Sequence, residues 1–94
     1  MLLTNEMLNA KKVVHYKKEE CDIYIIEKND ENYVLGIYRG NNTVYAKVTL
    51  PFVRWECESI LYYPFGYFVF AEDENKLIEK IKIKMNELKS NVIG

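Results

Sequence analysis

The sequence is poor in the residues from which most enzyme sites are built. It holds one histidine, two cysteines and four glycines among 94 residues, and they form no glycine-rich phosphate loop and no nucleophile elbow. His15 has no Cys, Asp or Glu at ligand spacing, which predicts a surface histidine beside Lys17 and Lys18. The sequence therefore predicts no catalytic residue, no metal site and no cofactor, and we expect a protein that is not an enzyme.

The two cysteines also lack a motif that would give them a function. Cys21 and Cys57 form no CxxC pair. Cys57 stands between Glu56 and Glu58, and neighbouring negative charge disfavours the thiolate that a nucleophile needs. Because cysteines stay reduced in the cytosol, we expect two buried or half-buried structural thiols rather than a disulfide.

Long apolar runs and a strong net charge are missing as well. No run approaches the roughly eighteen apolar residues of a membrane span. The segment MLLTNEMLNAKK lacks the basic start and the uninterrupted apolar core of a signal peptide, so the predicted location is the cytoplasm of a bacterium or of an infected host cell. The net charge of −1 argues against nucleic acid as a partner, since nucleic-acid-binding domains usually present a basic face.

What is present is typical of one globular domain over residues 1–94. Apolar residues make up 49% of the chain and charged residues 29%. Lys, Asn, Ile and Tyr are plentiful and alanine is scarce, a bias of AT-rich coding sequences such as those of low-GC bacteria and their phages.

Periodicity predicts helices at both ends of the chain and strands between them. An apolar 4-3-4 spacing after the N-capping Thr4 predicts a helix over residues 4–12, while residues 13–18 fit a helix or a strand equally well. Strands are predicted for three β-branched and aromatic runs, residues 21–28, 33–39 and 43–50. A 3-4 apolar stripe predicts a last helix over 73–89, which we expect to pack on the sheet rather than in a short coiled coil.

The turn at Asn41-Asn42 predicts the register between the second and third of these strands. One face then pairs apolar residues and is the predicted core, namely Tyr33 with Leu50, Leu35 with Val48 and Ile37 with Ala46. The other face is semi-polar and rich in tyrosine, with the pairs Val34–Thr49, Gly36–Lys47 and Tyr38–Tyr45. The predicted fold is α+β, an antiparallel sheet of four to five strands with an N-terminal and a C-terminal helix packed on one face.

The stretch from residue 50 to 71 carries eight of the thirteen aromatic residues. Residues 67–71 predict a strand that leads into the last helix, with Phe68 and Phe70 largely in the core. The sequence Tyr63-Pro64-Phe65-Gly66 favours a turn before that strand. Residues 52–57 and 60–63 are predicted as two further short strands.

The leading functional hypothesis is a protein-binding role. Both faces of the predicted sheet are apolar although the two helices cover only one, which predicts a homodimer, a higher oligomer or a protein partner on the other face. Tyr, Trp and Arg dominate interface energetics, so five residues of the aromatic stretch are the predicted contacts: Phe52, Arg54, Trp55, Tyr62 and Tyr63. Small size, missing catalytic parts and AT-rich coding together predict an inhibitor of a host defence protein, encoded by a phage or a mobile element.

Two alternatives use the outer face of the sheet. An oligomer could hold a small nucleotide-like ligand between Tyr38, Tyr45, Arg39 and Arg54. Native mass spectrometry would then detect an oligomer with extra small-molecule mass. A single-stranded nucleic acid could instead stack on tyrosines beside Lys47 and the arginines, with the candidate rings Tyr24, Tyr38 and Tyr45. Its affinity would depend steeply on salt.

Trp55 is the predicted anchor of the interface. Replacing Trp55 by alanine should weaken partner binding in a protein that stays folded, because a large buried aromatic side chain is the usual centre of such an interface. Titration of the partner against both proteins measures the difference. An unchanged affinity would remove Trp55 as the anchor.

Overall fold

A computed structural model describes residues 2–51 and 53–93, with the side chains described as far as residue 88. It has one five-stranded antiparallel sheet with the strands in chain order, together with three helices. The elements are α1 (Asn5–Leu8), β1 (Lys12–Lys17), β2 (Cys21–Lys28), β3 (Glu31–Gly40), β4 (Thr43–Thr49), α2 (Cys57–Tyr62), β5 (Tyr67–Ala71) and α3 (Glu74–Ile93). The predicted α+β class and the helix at each end are confirmed. None of the helices in this part of the chain has the length and apolarity to cross a bilayer.

The first helix is shorter than predicted. Thr4 caps it, since the Thr4 hydroxyl accepts a hydrogen bond of 3.2 Å from the Met7 amide. The helix ends at Leu8 because Asn9 adopts the left-handed conformation with φ 51°, which terminates a helix. The chain then turns into β1, which pairs with β2 from Lys12 to Lys17. The stretch that fitted helix and strand equally well is therefore a strand.

The predicted register between β3 and β4 is confirmed. The ladder pairs Leu35 with Val48, Ile37 with Ala46 and Tyr38 with Tyr45, and it ends at Val34 and Thr49. Asn42 supplies the positive φ of 62° in the turn. One face carries the main core as expected, including the buried side chains of Tyr33, Leu35, Ile37, Ala46 and Val48.

The last helix covers this core face with its apolar stripe. Its buried residues are Leu77, Ile78, Ile81, Met85 and Leu88, all in the main core with α1. Ile83 lies off the stripe and is exposed, as its position predicts. The stripe thus packs against the protein's own sheet, and α1 lies on the same face.

The other face of the sheet is covered by an element that sequence reasoning predicted wrongly. Residues 57–62 form α2 instead of parts of two short strands, and Ile60 is buried in a second apolar cluster with Ile23, Val34 and Tyr38. The fifth strand of the sheet comes from residues 12–17 and not from 52–63. The sheet is apolar on both faces, as predicted, but the chain covers much of the second face itself.

A disulfide bond joins Cys21 to Cys57, which the sequence reasoning did not expect. Cys21 begins β2 and Cys57 begins α2, and their Cα atoms are 5.9 Å apart. The bond therefore fastens the first turn of α2 to the sheet. The two residues are 36 positions apart in the sequence, so only the fold brings them together.

Removing this disulfide should lower stability substantially. Cross-linking a loop of 36 residues restricts the unfolded chain by about 3–4 kcal/mol in the loop-entropy treatment. We expect the double variant Cys21→Ala/Cys57→Ala to lose a similar free energy of unfolding, measured by urea denaturation. Dithiothreitol should lower the stability of the wild-type protein to that of the variant and leave the variant unchanged. A loss below about 1 kcal/mol would contradict this role.

Candidate protein interface at the edge of the sheet

The predicted contact residues lie at the two ends of α2. Arg54 and Trp55 precede the helix, and the exposed Trp55 ring lies 5.7 Å from the ring of Tyr16 on β1. Tyr62 and Tyr63 lie at the other end, with Tyr62 77% exposed and Tyr63 half-buried. Phe52 lies outside the described residues. The predicted set is therefore divided between the β1 side and the β4 side of the sheet.

Of the residues predicted on an open sheet face, Tyr38 and Lys47 are covered by α2. The Tyr38 hydroxyl donates a hydrogen bond of 2.7 Å to the Cys57 carbonyl oxygen, and burial raises the pKa of Tyr38 to about 12. Lys47 is buried, and its ammonium donates to the carbonyl oxygens of Leu61 at 3.3 Å and Tyr63 at 2.6 Å. Burial lowers the pKa of Lys47. Both side chains therefore hold α2 in place, and neither presents an open binding surface.

The remaining sheet-face candidates do not meet at one site. Tyr24 is buried on the α1 and α3 face, in the main core. Arg39 lies on that face as well, because its guanidinium donates to Asp22 at 2.9 Å. Tyr45 lies on the opposite face, stacked on Tyr38 with ring centroids 5.3 Å apart. Tyr38 and Tyr45 therefore stay together on one face, while the sheet separates them from Tyr24 and Arg39.

The histidine has a partner that the sequence analysis missed. His15 Nε2 lies 2.9 Å from an Asp22 carboxylate oxygen, and its ring stacks on Tyr24. The pairing of β1 with β2 sets this contact, because Lys17 lies opposite Asp22 and His15 opposite Tyr24. Burial by itself would raise the pKa of the Asp22 carboxyl. The hydrogen bonds and positive charge of Arg39 and His15 outweigh burial and hold that pKa below its ordinary value of 3.8.

A row of aromatic rings leads from beneath α2 to the open edge of the sheet. After Tyr38 and Tyr45, the ring of Phe70 lies 5.7 Å from that of Tyr45, and Phe68 lies 6.2 Å from Phe70. The ammonium of Lys47 lies 4.4 Å above the Phe68 ring and also binds the end of α2, which places Tyr63 beside these rings. We call the outer part of this row the aromatic edge, defined by Tyr45, Tyr63, Phe65, Phe68 and Phe70.

Phe68 and Phe70 are exposed, so their prediction as core residues was wrong. Val69 faces α3 and is buried, and side chains alternate along a strand, so its two neighbours point to the other face. The helix α2 packs mainly over β2, β3 and β4, so it does not cover these two rings. Phe68 and Phe70 are therefore 46% and 61% exposed.

The turn before β5 adds a further exposed ring to this surface. Phe65 is 70% exposed and packs edge-on against Tyr63 with ring centroids 5.8 Å apart. Gly66 has a φ of 112°, and a Cβ atom there would overlap the Val48 carbonyl oxygen. Glycine is thus required where the chain enters β5 alongside β4. The bend at residues 64–66 consequently positions Phe65 and leads into the strand that carries Phe68 and Phe70.

The two edge strands of the sheet differ in how they are protected. Along β1 and just beside it lie Lys11, Lys12, Lys17 and Lys18, and charged side chains of this kind discourage pairing with another strand. The five residues of β5, YFVFA, include no charge. The strand β5 therefore has no charged side chain of its own to protect its edge, and the exposed rings of Phe65, Phe68 and Phe70 lie around it.

The aromatic edge is comparable in area to the largest exposed apolar patch of a typical monomer. Aromatic side chains present 150–250 Å² each, so its three most exposed rings offer roughly 300–400 Å². The largest apolar patch on a typical monomer is 300–600 Å² and is often functional. One partner in a standard interface buries about 800 Å², so these rings could supply nearly half of it.

The alternation of side chains along β5 was the feature of the sequence that indicated this surface. In YFVFA the two faces of the strand are both apolar, and only one of them can face α3. Recognising the exposure of Phe68 and Phe70 also required knowing that 57–62 is a short helix that stops over β4. That information comes from long-range packing and is not contained in the local pattern.

Neither a metal-binding cluster nor a comparison with known proteins assigns a function to this site. Among the described residues, no group of three or more His, Cys, Asp and Glu side chains is close enough together to hold a metal ion. Comparison of the chain with protein-family models, with curated proteins and with solved structures gives no match.

The Asp22 cluster should make stability depend on pH in a defined direction. The pKa of Asp22 is lowered in the folded protein, so its contribution is fully present above 3.8 and is lost as the pH falls through the folded pKa. We expect Asp22→Asn to lower the free energy of unfolding by about 1–2 kcal/mol at pH 7, because charge-assisted hydrogen bonds are lost. The difference from the wild-type protein should shrink below pH 3.8 in urea denaturation.

Asp30→Asn is the matched control for this measurement. Asp30 is exposed in the turn after β2 with a φ of 64°, a conformation that asparagine adopts readily. The free energy of unfolding of Asp30→Asn should equal that of the wild-type protein at every pH. Equal losses in the two variants would contradict a specific role for Asp22.

Proposed function

We propose that this protein is a non-enzymatic binding domain that recognises another protein through the aromatic edge. The observation that carries the proposal is the exposure of Phe65, Phe68 and Phe70 beside an edge strand that carries no charge. Exposed aromatic clusters of this size are typical of interaction surfaces, and aromatic residues dominate the binding energy of interfaces.

The packing of the rings on one another and on α2 supports this role. Phe70 stacks on Tyr45, Tyr45 stacks on Tyr38, and the Tyr38 hydroxyl is hydrogen-bonded to the backbone of α2. The disulfide and Lys47 fasten the same helix at its two ends. Side chains that are already ordered lose little conformational entropy on binding, which favours affinity.

The pair Arg54 and Trp55 belongs to the proposal as a second, smaller contact. Trp55 is 47% exposed, and the Arg54 side chain is almost fully exposed, with Glu56 at 3.9 Å. The pair lies on the β1 side of α2, whereas the aromatic edge lies beyond the β4 side. A partner that bound only one side would therefore distinguish the two surfaces.

The finer parts of the hypothesis are proposals drawn from the sequence. Inhibition of a host defence protein and an origin in a phage rest on small size and coding bias. Self-association was inferred from a sheet face without cover, and α2 covers the part of that face over β2, β3 and β4. The proposed cytoplasmic location is at odds with the disulfide, since such bonds persist mainly in oxidising compartments.

Substitutions at the aromatic edge should abolish recognition of the partner. The partner is captured on the immobilised protein, identified and purified, and its dissociation constant is then measured for the wild-type protein and each variant. We expect Phe68→Ser/Phe70→Ser to weaken binding at least about 30-fold, since truncation of a central aromatic residue costs about 2 kcal/mol or more.

Two further variants locate the interface. Leu2→Ser is the matched control, because Leu2 is exposed and apolar and its neighbour Leu3 is hydrogen-bonded to Tyr24 on β2, three strands from β5 in the sheet order. It should bind the partner as the wild-type protein does. Trp55→Ala measures the second contact separately. If only Trp55→Ala weakened binding, the aromatic edge would not be the interface.

A further inference from the structure

The edge of β5 presents backbone groups as well as rings. In an antiparallel sheet the N–H and C=O groups of one residue point to the same side of the strand, and the side alternates from residue to residue. The Phe70 carbonyl oxygen accepts a hydrogen bond of 2.8 Å from Lys80 on α3, so Phe70 directs its groups away from β4. Phe68 has the same parity. The backbone groups of both residues therefore point to the open side of the sheet.

The two faces beside this edge differ in chemistry. On the face of α3, lysines follow one another at a spacing of four residues, at Lys76, Lys80 and Lys84. Lys80 and Lys84 line a shallow groove with Phe68, Phe70 and the exposed Ile83. Lys84 lies 5.1 Å above the ring of Tyr67 and donates a hydrogen bond of 2.8 Å to the Glu87 carboxylate. On the other face lie the rings of the aromatic edge. A strand added here would have lysines on one face and aromatic rings on the other.

We propose that β5 binds an extended peptide segment of a partner protein, in which acidic residues alternate with apolar ones. The segment adds to the sheet as a sixth strand, a recognised mode of peptide binding in which the backbone provides affinity and alternate side chains provide specificity. Its acidic side chains face Lys80 and Lys84, and its apolar side chains face Phe68 and Phe70. This inference rests on the proposed function, because it names the chemistry of the partner.

Lys80 has a double role in this binding mode. In the free protein its ammonium donates a hydrogen bond to the Phe70 carbonyl oxygen. This bond prevents the edge of β5 from pairing with any extended segment that approaches it. On binding, a backbone N–H of the segment takes over that oxygen, and the ammonium moves to a carboxylate of the segment. A segment without acidic residues would displace the lysine without offering it a new partner. The edge therefore selects for acidic segments.

Charge disfavours a second copy of this chain as the occupant. Two β5 strands paired around Val69 would place the two α3 helices side by side in opposite directions. Because Lys80 and Lys84 flank Phe68 to Phe70, the lysines of both copies would come together at this edge, and Glu87 offsets only the charge of Lys84. Like charges facing each other across an interface oppose association. An acidic segment has the complementary charge.

The test uses a synthetic peptide as the probe. An acetylated and amidated peptide that alternates glutamate with valine and phenylalanine is titrated into the protein, and binding is followed by fluorescence anisotropy at low salt. The control peptide has lysine at each glutamate position. We expect the acidic peptide to bind at least tenfold more tightly than the basic one, with a preference that falls as salt is added.

Amide hydrogen exchange distinguishes strand addition from docking on the rings. The amides of Phe68 and Phe70 should exchange quickly in the free protein and at least tenfold more slowly with the acidic peptide bound, because each then donates to the added strand. Rapid exchange at both positions in the saturated complex would overturn strand addition. It would leave the aromatic edge as a docking surface.

Charge reversal on α3 tests the role of the lysines. Lys80→Glu/Lys84→Glu should weaken binding of the acidic peptide at least tenfold and improve binding of the basic one. Lys12→Glu/Lys17→Glu makes the same change in net charge on the opposite edge strand and should leave both affinities within about twofold of the wild-type values. Circular dichroism confirms that each variant is folded.

The remaining outcomes would overturn this inference but would not refute the proposed function. No binding of the acidic peptide at millimolar concentration, or equal binding of the two peptides, overturns the acidic segment as the occupant. A concentration-dependent dimer with slow Phe68 and Phe70 amides in the absence of peptide overturns it in favour of a second copy. In each case the partner experiment with Phe68→Ser/Phe70→Ser still decides whether the aromatic edge is an interface.

Discussion

The alternation of side chains along β3 and β4 is the constraint on which the rest of the structure depends. Once the turn at residues 41 and 42 sets the register, each residue of the hairpin is assigned to one face. Leu35, Ile37, Ala46 and Val48 then form the floor of the main core under α3. Tyr38, Tyr45 and Lys47 are assigned to the opposite face, where a second cover is needed. A slip of one residue would exchange the two sets.

The second cover is a helix that is too short to be stable by itself. Isolated helices below about twelve residues are marginal in water, and α2 has six. It is fastened at its start by the Cys21–Cys57 disulfide and by Tyr38, and at its end by Lys47. These three contacts attach α2 to β2, β3 and β4, so the helix ends before it reaches β5. The aromatic edge is exposed because Lys47 on β4 is the last residue that holds α2 to the sheet.

The parts of the fold that could be predicted from the sequence are those set by local periodicity. The strands β2, β3, β4 and β5, the hairpin register and the stripe of α3 follow from alternation or from a 3-4 spacing. The end of α1 was not predictable in this way, because Asn9 stops the helix before its apolar spacing ends. The contact of His15 with Asp22 and the disulfide of Cys57 each join residues from different elements. They exist only because the strands pair and α2 folds back over them.

The candidate site could be predicted only in part for the same reason. The high aromatic content of residues 50–71 predicted contact residues in that stretch, and Trp55 and Tyr62 are exposed. The division of that stretch was wrong, since Phe68 and Phe70 were expected in the core. The face of β5 that carries Phe68 and Phe70 is exposed because α2, the helix formed by residues 57–62, packs over β2, β3 and β4 on that side of the sheet.

The disulfide also divides the molecule into a covalently closed centre and a periphery. The ring from Cys21 to Cys57 contains β2, β3 and β4, whereas β1, β5 and α3 lie outside it. A protease that cut the exposed turn at residues 41 and 42 would open the ring, yet the two fragments would stay joined until a reductant was added. A cut between α2 and β5 would have the opposite effect. It would leave β5 and α3 attached to the centre only by non-covalent packing, so the exposed rings of Phe68 and Phe70 lie on a portion of this protein that proteolysis can detach.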